Sequence, residues 1–203
     1  IFLKETSDTE MYISKLEELR EQAIGKIREK IDLEIKLATI GLIGEKNIAF
    51  ELMNSGMPMY VLHDIYLEIN GLSAQIDYIV ITRKFNIIIE CKNLIGDIII
   101  DSNGNFIRDY KLKGRRIKEG IYSPITQNAR HKEVLRQIRR EAKSGIFSKL
   151  LFDSYFDDNY KSIVVLANPK TILKDRYAKK EVRDMIIRVD QLNKYIKEEY
   201  KAS

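Results

Sequence analysis

The 203-residue chain is poor in the residues that build disulfides and metal cages: it has one cysteine, two histidines, three prolines and no tryptophan. A single thiol, Cys91, excludes an internal disulfide framework and any zinc site built on several cysteines, and it suits a reducing compartment such as the cytoplasm. With only His63 and His131 available, a metal site built on imidazoles is not expected. No apolar run approaches the roughly 20 residues of a membrane-spanning helix, and no secretory leader is visible. No proline-rich linker or repeat divides the chain. Opening on Ile1 without Met, it is expected to be a trimmed fragment.

What is present describes a globular protein able to build a core, with 44% hydrophobic and 32% charged residues. The net charge of +5 permits a polyanionic partner without requiring one. From Thr9 to about Met53 the sequence is free of proline and dense in Glu, Lys, Leu and Ile, which predicts helix capped by Ser7 or Asp8. Leu16, Leu19, Ala23, Ile27 and Ile31 make one apolar stripe on a charged rod, to be packed on its own domain or on a copy of itself. Gly41 and Gly44 are expected to interrupt it, leaving a second helix from about Leu42 to Met53 that carries Glu45. The chain therefore reads as an amino-terminal helical arm, 1–40, and a domain, 41–203.

Beyond Pro58 the pattern changes to short β-rich runs: MYVLHDIYLEI, AQIDYIVIT, NIIIECKN, DIIID and NFIRDYKL. Asn103-Gly104 marks a hairpin. Ser123-Pro124 opens a helix to about Lys143, closed by Gly145. KSIVVLAN and MIIRV read as strands, and Asp190 as the cap of a terminal helix. This order predicts an α/β fold, a mixed β-sheet with helices on both faces and a long amino-terminal helix.

One constellation carries chemistry. Ile87, Ile88 and Ile89 form a run normally buried on both faces, yet Glu90 and Lys92 follow it at once. If AQIDYIVIT and NIIIECKN form a hairpin with its turn at Arg83 to Asn86, Asp77 lies opposite Lys92, with Glu90 one diagonal step away on the same face. Two carboxylates beside a lysine suit a hard divalent cation, Mg²⁺ or Mn²⁺, with the backbone carbonyl of Cys91 as a further ligand. A cross-strand salt bridge between Asp77 and Lys92, with Glu90 at a strand end, accounts for the same residues.

Gly44-Glu45 on a helix, Gln75-Ile76-Asp77 opening a strand, Ile89-Glu90-Cys91-Lys92-Asn93 closing the next, and Ser123-Pro124 followed by Gln127 resemble the nuclease-related domain, NERD. That family is similar to the PD-(D/E)xK nuclease superfamily, with its restriction-endonuclease-like core. Ile76 stands where the superfamily name has proline. The resemblance runs from about Gly41 to Leu135. It implies that Asp77 and Glu90 are metal ligands, Lys92 the catalytic lysine, Glu45 an additional acid, and Gln127 a polar group orienting substrate or water.

Around this constellation, Lys111, Lys113, Arg115, Arg116 and Lys118 form a basic cluster in an expected loop. Arg130, Lys132, Arg136, Arg139 and Arg140 add a basic side to the following helix. Both could contact phosphates. His131 reads as a surface helix residue and Cys91 as a buried core thiol. Together these residues point to a metal-dependent nuclease acting on nucleic acid, DNA first. The rival is a non-catalytic nucleic-acid-binding or partner-binding module, with the amino-terminal helix as a surface for self-association.

Overall fold

The computed structural model describes residues 1–112 and 114–203. In chain order, β1 (Phe2–Lys4), α1 (Asp8–Gln22) and α2 (Gly25–Met53) precede three long strands, β2 (Tyr60–Ile69), β3 (Leu72–Ile81) and β4 (Asn86–Lys92). Then come β5 (Asp97–Ile100), β6 (Phe106–Leu112), β7 (Arg115–Ile121), α3 (Pro124–Glu141) and α4 (Ile146–Asn159). The chain finishes with β8 (Tyr160–Leu166), β9 (Leu173–Lys174), α5 (Lys180–Asp184), β10 (Ile186–Arg188) and α6 (Leu192–Ala202).

Among the described residues the strands form a six-stranded sheet, β1-β2-β3-β4-β8-β10, and a four-stranded sheet, β7-β6-β5-β9. The large sheet is mixed: β2, β3 and β4 run antiparallel, whereas β4 and β8 are parallel. β4 is central, which explains its unbroken isoleucines: Ile87, Ile88 and Ile89 are all fully buried. Tyr78, Ile87 and Ile89 pack toward Ile48 and Leu52 of α2 and Ile196 of α6. On the other face Ile79 and Ile88 meet Val134 and Leu135 of α3 and Phe156 of α4. A sheet clothed by helices on both faces, with a long amino-terminal helix, is the predicted class. The second sheet is an addition to it, packed over Val164 and Leu166.

Local chemistry sets the joints. Asn70 and Gly71 both take positive φ, the geometry of a tight two-residue turn between Ile69 and Leu72. Ser123 Oγ accepts the Thr126 N–H at 3.3 Å and Pro124 occupies the first turn of α3. Three expectations need correction, whereas α1 packs within its own chain, one of the two alternatives for its apolar stripe. The helical region breaks at Ala23–Ile24, and α2 runs unbroken through Gly41 and Gly44, so residue 41 falls inside a helix. α1 folds back on α2, joined by Arg20–Asp32 and Lys46–Glu10 ion pairs, while Leu19 and Ile27 of the apolar stripe stay exposed. α4 was not expected, and Gly145 stands at its N-cap rather than at the close of α3. Asp190 does not cap α6; its carboxylate accepts from Arg188 Nε at 3.1 Å.

Candidate active site

β3 and β4 pair from Ile81–Asn86 as far as Tyr78–Ile89 and then part. Beyond this fork β3 stays with β2, down to Leu72 opposite Ile69, while β4 stays with β8, up to Lys92 opposite Leu166. Asp77 and Glu90 are the first residues past the fork. The Asp77 carboxylate takes up a backbone group released by the parting: its Oδ2 accepts the Cys91 N–H at 2.6 Å. The turn is Thr82–Phe85, closed by Thr82 N–H to the Phe85 carbonyl at 3.0 Å, one residue earlier than expected. Asp77 is therefore aligned with Glu90 rather than with Lys92. Because the slip in partner is two residues, all three groups keep a common side.

They open into a cavity of about 280 Å³, which Glu45, Gln75, Gln127 and His131 also line. Glu90 is 2% exposed. Lys92 Nζ donates to Glu90 Oε1 at 2.6 Å and to Gln127 Oε1 at 3.1 Å. The other carboxylate oxygen, Oε2, lies 3.3 Å from His131 Nδ1 without a hydrogen bond to it or to any described group. Burial, and then the Glu90 charge, push the Asp77 carboxyl up to about 8, against the opposing pull of the Cys91 N–H and Lys92. Burial, followed by the Asp77, Glu45 and Glu90 carboxylates, drives the thiol of half-buried Cys91 well above its ordinary value, which disfavours the thiolate.

Glu45 arrives from α2 because that helix presses onto the end of β4. A Cβ at Gly44 would lie 2.5 Å from Asn93 Cβ, so only glycine allows the approach. Asn93 Nδ2 donates to the Ile40 carbonyl and Asn47 Nδ2 to the Ala167 carbonyl, fastening the contact. Gln127 is placed by its neighbour Asn128, which is 1% exposed and donates to the Ile88 and Ile163 carbonyls at 3.0 and 2.8 Å. Among the described residues no three His, Cys, Asp or Glu side chains form a ready metal cage. Two carboxylates, one with a buried oxygen lacking a donor, remain the donor set that Mg²⁺ uses, since it keeps several waters.

Residues 40–167 match the family model of the nuclease-related domain, NERD, over well more than half of the chain. The chain belongs to the NERD family. No curated protein and no solved structure matched it. NERD domains are similar to the PD-(D/E)xK nucleases, and in this NERD chain Asp77, Glu90 and Lys92 of the expected pattern meet at one fork, with Glu45 and Gln127 on the same cavity.

The basic residues are placed differently from the loop expected. Lys111, Arg115 and Arg116 lie on the β6–β7 hairpin, with Leu112 paired to Arg115, and Lys113 lies outside the described residues. Arg116 binds Asp109 through two nitrogens of one guanidinium edge, Nε to Oδ1 at 2.8 Å and Nη2 to Oδ2, and thereby holds that carboxyl below its usual range. On α3, Lys132 pairs with Asp157, and Arg136 and Arg140 with Asp153, all acids of the unforeseen α4. Lys111, Arg115 and Arg130 have no ion-pair partner among the described residues; Arg130 stacks over Tyr122. His131, expected at the surface, is 13% exposed beside Glu90. Its spacing of four from Gln127, one helical turn, was the available signal. His63, which meets Glu45, had none, because it enters from a strand distant in sequence.

Proposed function

We propose that this NERD protein is a divalent-metal-dependent nuclease that hydrolyses phosphodiester bonds in nucleic acid, with DNA the first substrate to test. The observation that carries this reading is the β3–β4 fork, which sets Asp77 and Glu90 side by side with Lys92 Nζ held 2.6 Å from one of them. Asp77 and Glu90 would hold Mg²⁺ or Mn²⁺, with the Cys91 carbonyl as a further ligand. Such an ion supplies a Lewis acid for a phosphoryl oxygen and a water of lowered pKa.

The chain's own groups do the rest. The Cys91 N–H fixes the Asp77 carboxylate, leaving Oδ1 available to a cation. Gln127 and Glu90 hold the Lys92 ammonium, which can donate to a phosphate oxygen as negative charge develops there. Glu45 brings a third acid to the rim of the cavity, and Gln127 orients Lys92 and substrate alike. Lys111, Arg115 and Arg130 would grip the sugar-phosphate backbone irrespective of sequence.

The test is a time course on plasmid and single-stranded DNA with Mg²⁺, Mn²⁺, Ca²⁺ or chelator. Cleavage with Mg²⁺ or Mn²⁺ that stops in chelator is expected. Protein that binds DNA but cuts neither substrate with any ion would be a non-catalytic binding module, and cutting that persists in chelator would defeat the metal mechanism.

A further inference from the structure

The family match begins at residue 40, yet the chain before it reaches the site. β1 runs parallel to β2, and its end and the segment that follows meet β2 at His63–Asp64, where Asp64 turns left-handed and drops out of the ladder with β3, a local kink. Lys4 Nζ donates to the His63 carbonyl at 3.0 Å and to the Asp64 carbonyl. The Glu5 carbonyl lies 2.9 Å from His63 Nδ1, and the Asp8 N–H donates to Asp64 Oδ2 at 2.6 Å. The other side of the kink touches the cavity. His63 Nε2 lies 2.9 Å from Glu45 Oε2, and Gln75 Nε2 donates to Asp64 Oδ1. Glu45 and Gln75 both line the cavity that contains Asp77 and Glu90.

Each half of the kink is built for this. His63 is 6% exposed and stacks on Tyr78 with ring centroids 4.4 Å apart, so its ring cannot turn freely. Both its nitrogens face acceptors, a carbonyl and a carboxylate. The Tyr78 hydroxyl donates to the Glu45 carbonyl at 2.8 Å, giving that residue a second anchor. Asp64 holds φ at 56°, a left-handed conformation that strains a residue with a side chain, and it lies where β2 would pair with Asp77. Glycine would satisfy that backbone. Aspartate uses both oxygens instead, one on the amino-terminal segment and one on Gln75.

We infer that Lys4–Asp8 belong to the active-site apparatus: acting through His63 and Asp64, they hold Glu45 and Gln75 in place, which makes His63 and Asp64 positioning residues. The kinetic consequence rests on the nuclease reading, whereas the contacts themselves do not, so the test has two arms.

The first arm needs no activity. In a nitrogen–proton NMR spectrum of the full chain, both His63 ring nitrogens carry protons protected from exchange, and the Gln75 side-chain amide is shifted from free glutamine. Lys4→Ala, on the far side of the kink, moves both sets of signals. A His63 nitrogen without a protected proton, or a Gln75 amide at the free value, overturns the inference whatever the protein cuts. The second arm is a cycle of His63→Leu and Glu45→Gln under Mn²⁺. Each change lowers kcat by about 10- to 100-fold with little change in KM, the range for groups that orient a site, and the double variant is no slower than the worse single one. His63→Gln, which still offers Glu45 a donor, recovers part of the loss. Asp64→Gly keeps the left-handed backbone without strain and loses only the carboxylate, so it guards against a folding defect. Wild-type kcat in both His63→Leu and Asp64→Gly overturns the inference and leaves the nuclease reading standing. Intact NMR contacts in a wild type that cuts nothing do the reverse.

Discussion

Replacing Asp77 with Asn should make the metal-free protein more stable near pH 8 while weakening its hold on a divalent ion. The native carboxyl sits half-buried beside Glu90 at the fork and is pushed up to about 8, whereas in the unfolded chain it titrates near 3.9. Between those values the native state keeps a proton that the unfolded chain has released. Stability contributed by this group therefore falls as pH rises through the window, by at most about 1.4 kcal/mol per pH unit, and levels off above about 8. Asn has the same shape, its Oδ1 can still accept the Cys91 N–H, and it never ionises. Lys92 and the open side of the cavity offset part of the repulsion, so the gain at pH 8 should be about 1–3 kcal/mol, or roughly 3–10 °C in Tm for a chain of this size. With Mn²⁺ the order should reverse, since an ion at a thousand times its Kd adds about 4.1 kcal/mol to the wild type. Thermal melts of both proteins from about pH 5 to 8.5, in chelator and in Mn²⁺, read this directly. A variant no more stable than wild type in chelator at pH 8, or stability differences that do not change with pH, would refute the reasoning.

Three further outcomes are expected. Lys92→Met keeps the aliphatic stem and loses the charge, so cleavage should slow by at least about 10²-fold while calorimetric Mn²⁺ affinity is preserved; an unchanged rate would make Lys92 a salt-bridge partner only. Gly44→Ala drives a methyl into Asn93 and should cost about 1–3 kcal/mol, whereas Gly41→Ala meets nothing within 4 Å and should gain up to about 1 kcal/mol; equal melting temperatures would contradict the close helix–strand approach. Arg115→Ala should lower the log–log salt slope of duplex binding by roughly 0.9 and Arg116→Ala by less, because Arg116 is already paired with Asp109; no change in slope for either variant would place the binding face elsewhere.

The core strands and the helix behind Ser123-Pro124 were legible because period-two and uninterrupted apolar runs report burial directly. The fork was legible in residue type but not in register. One residue of turn position decides which partner Asp77 faces, and Thr82, whose hydroxyl accepts the Phe85 N–H at 3.0 Å, fixes it through contacts that no hydrophobic pattern records. Gly41 and Gly44 read as breakers, since glycine usually weakens helices; at Gly44 the absent side chain admits Asn93 instead. α4 was missed because Ile146, Phe147, Leu150 and Leu151 stay exposed, so its apolar residues do not trace the buried stripe that marks an amphipathic helix. Without α4 in view, the acids that pair with Lys132, Arg136 and Arg140 of α3 could not be foreseen either. His63 and Asp64 were illegible as site residues because their partners lie at Glu5, Asp8, Glu45 and Gln75, joined only by the fold.

The central claim is that Asp77 and Glu90 together hold a divalent ion beside Lys92. Crystals grown with Mn²⁺ and measured for anomalous scattering test it most directly. The account predicts one strong peak within bonding distance of a carboxylate oxygen from each of Asp77 and Glu90, lost in Glu90→Gln. A protein that takes up Mn²⁺ elsewhere, or shows no peak at the fork at millimolar Mn²⁺, would contradict it.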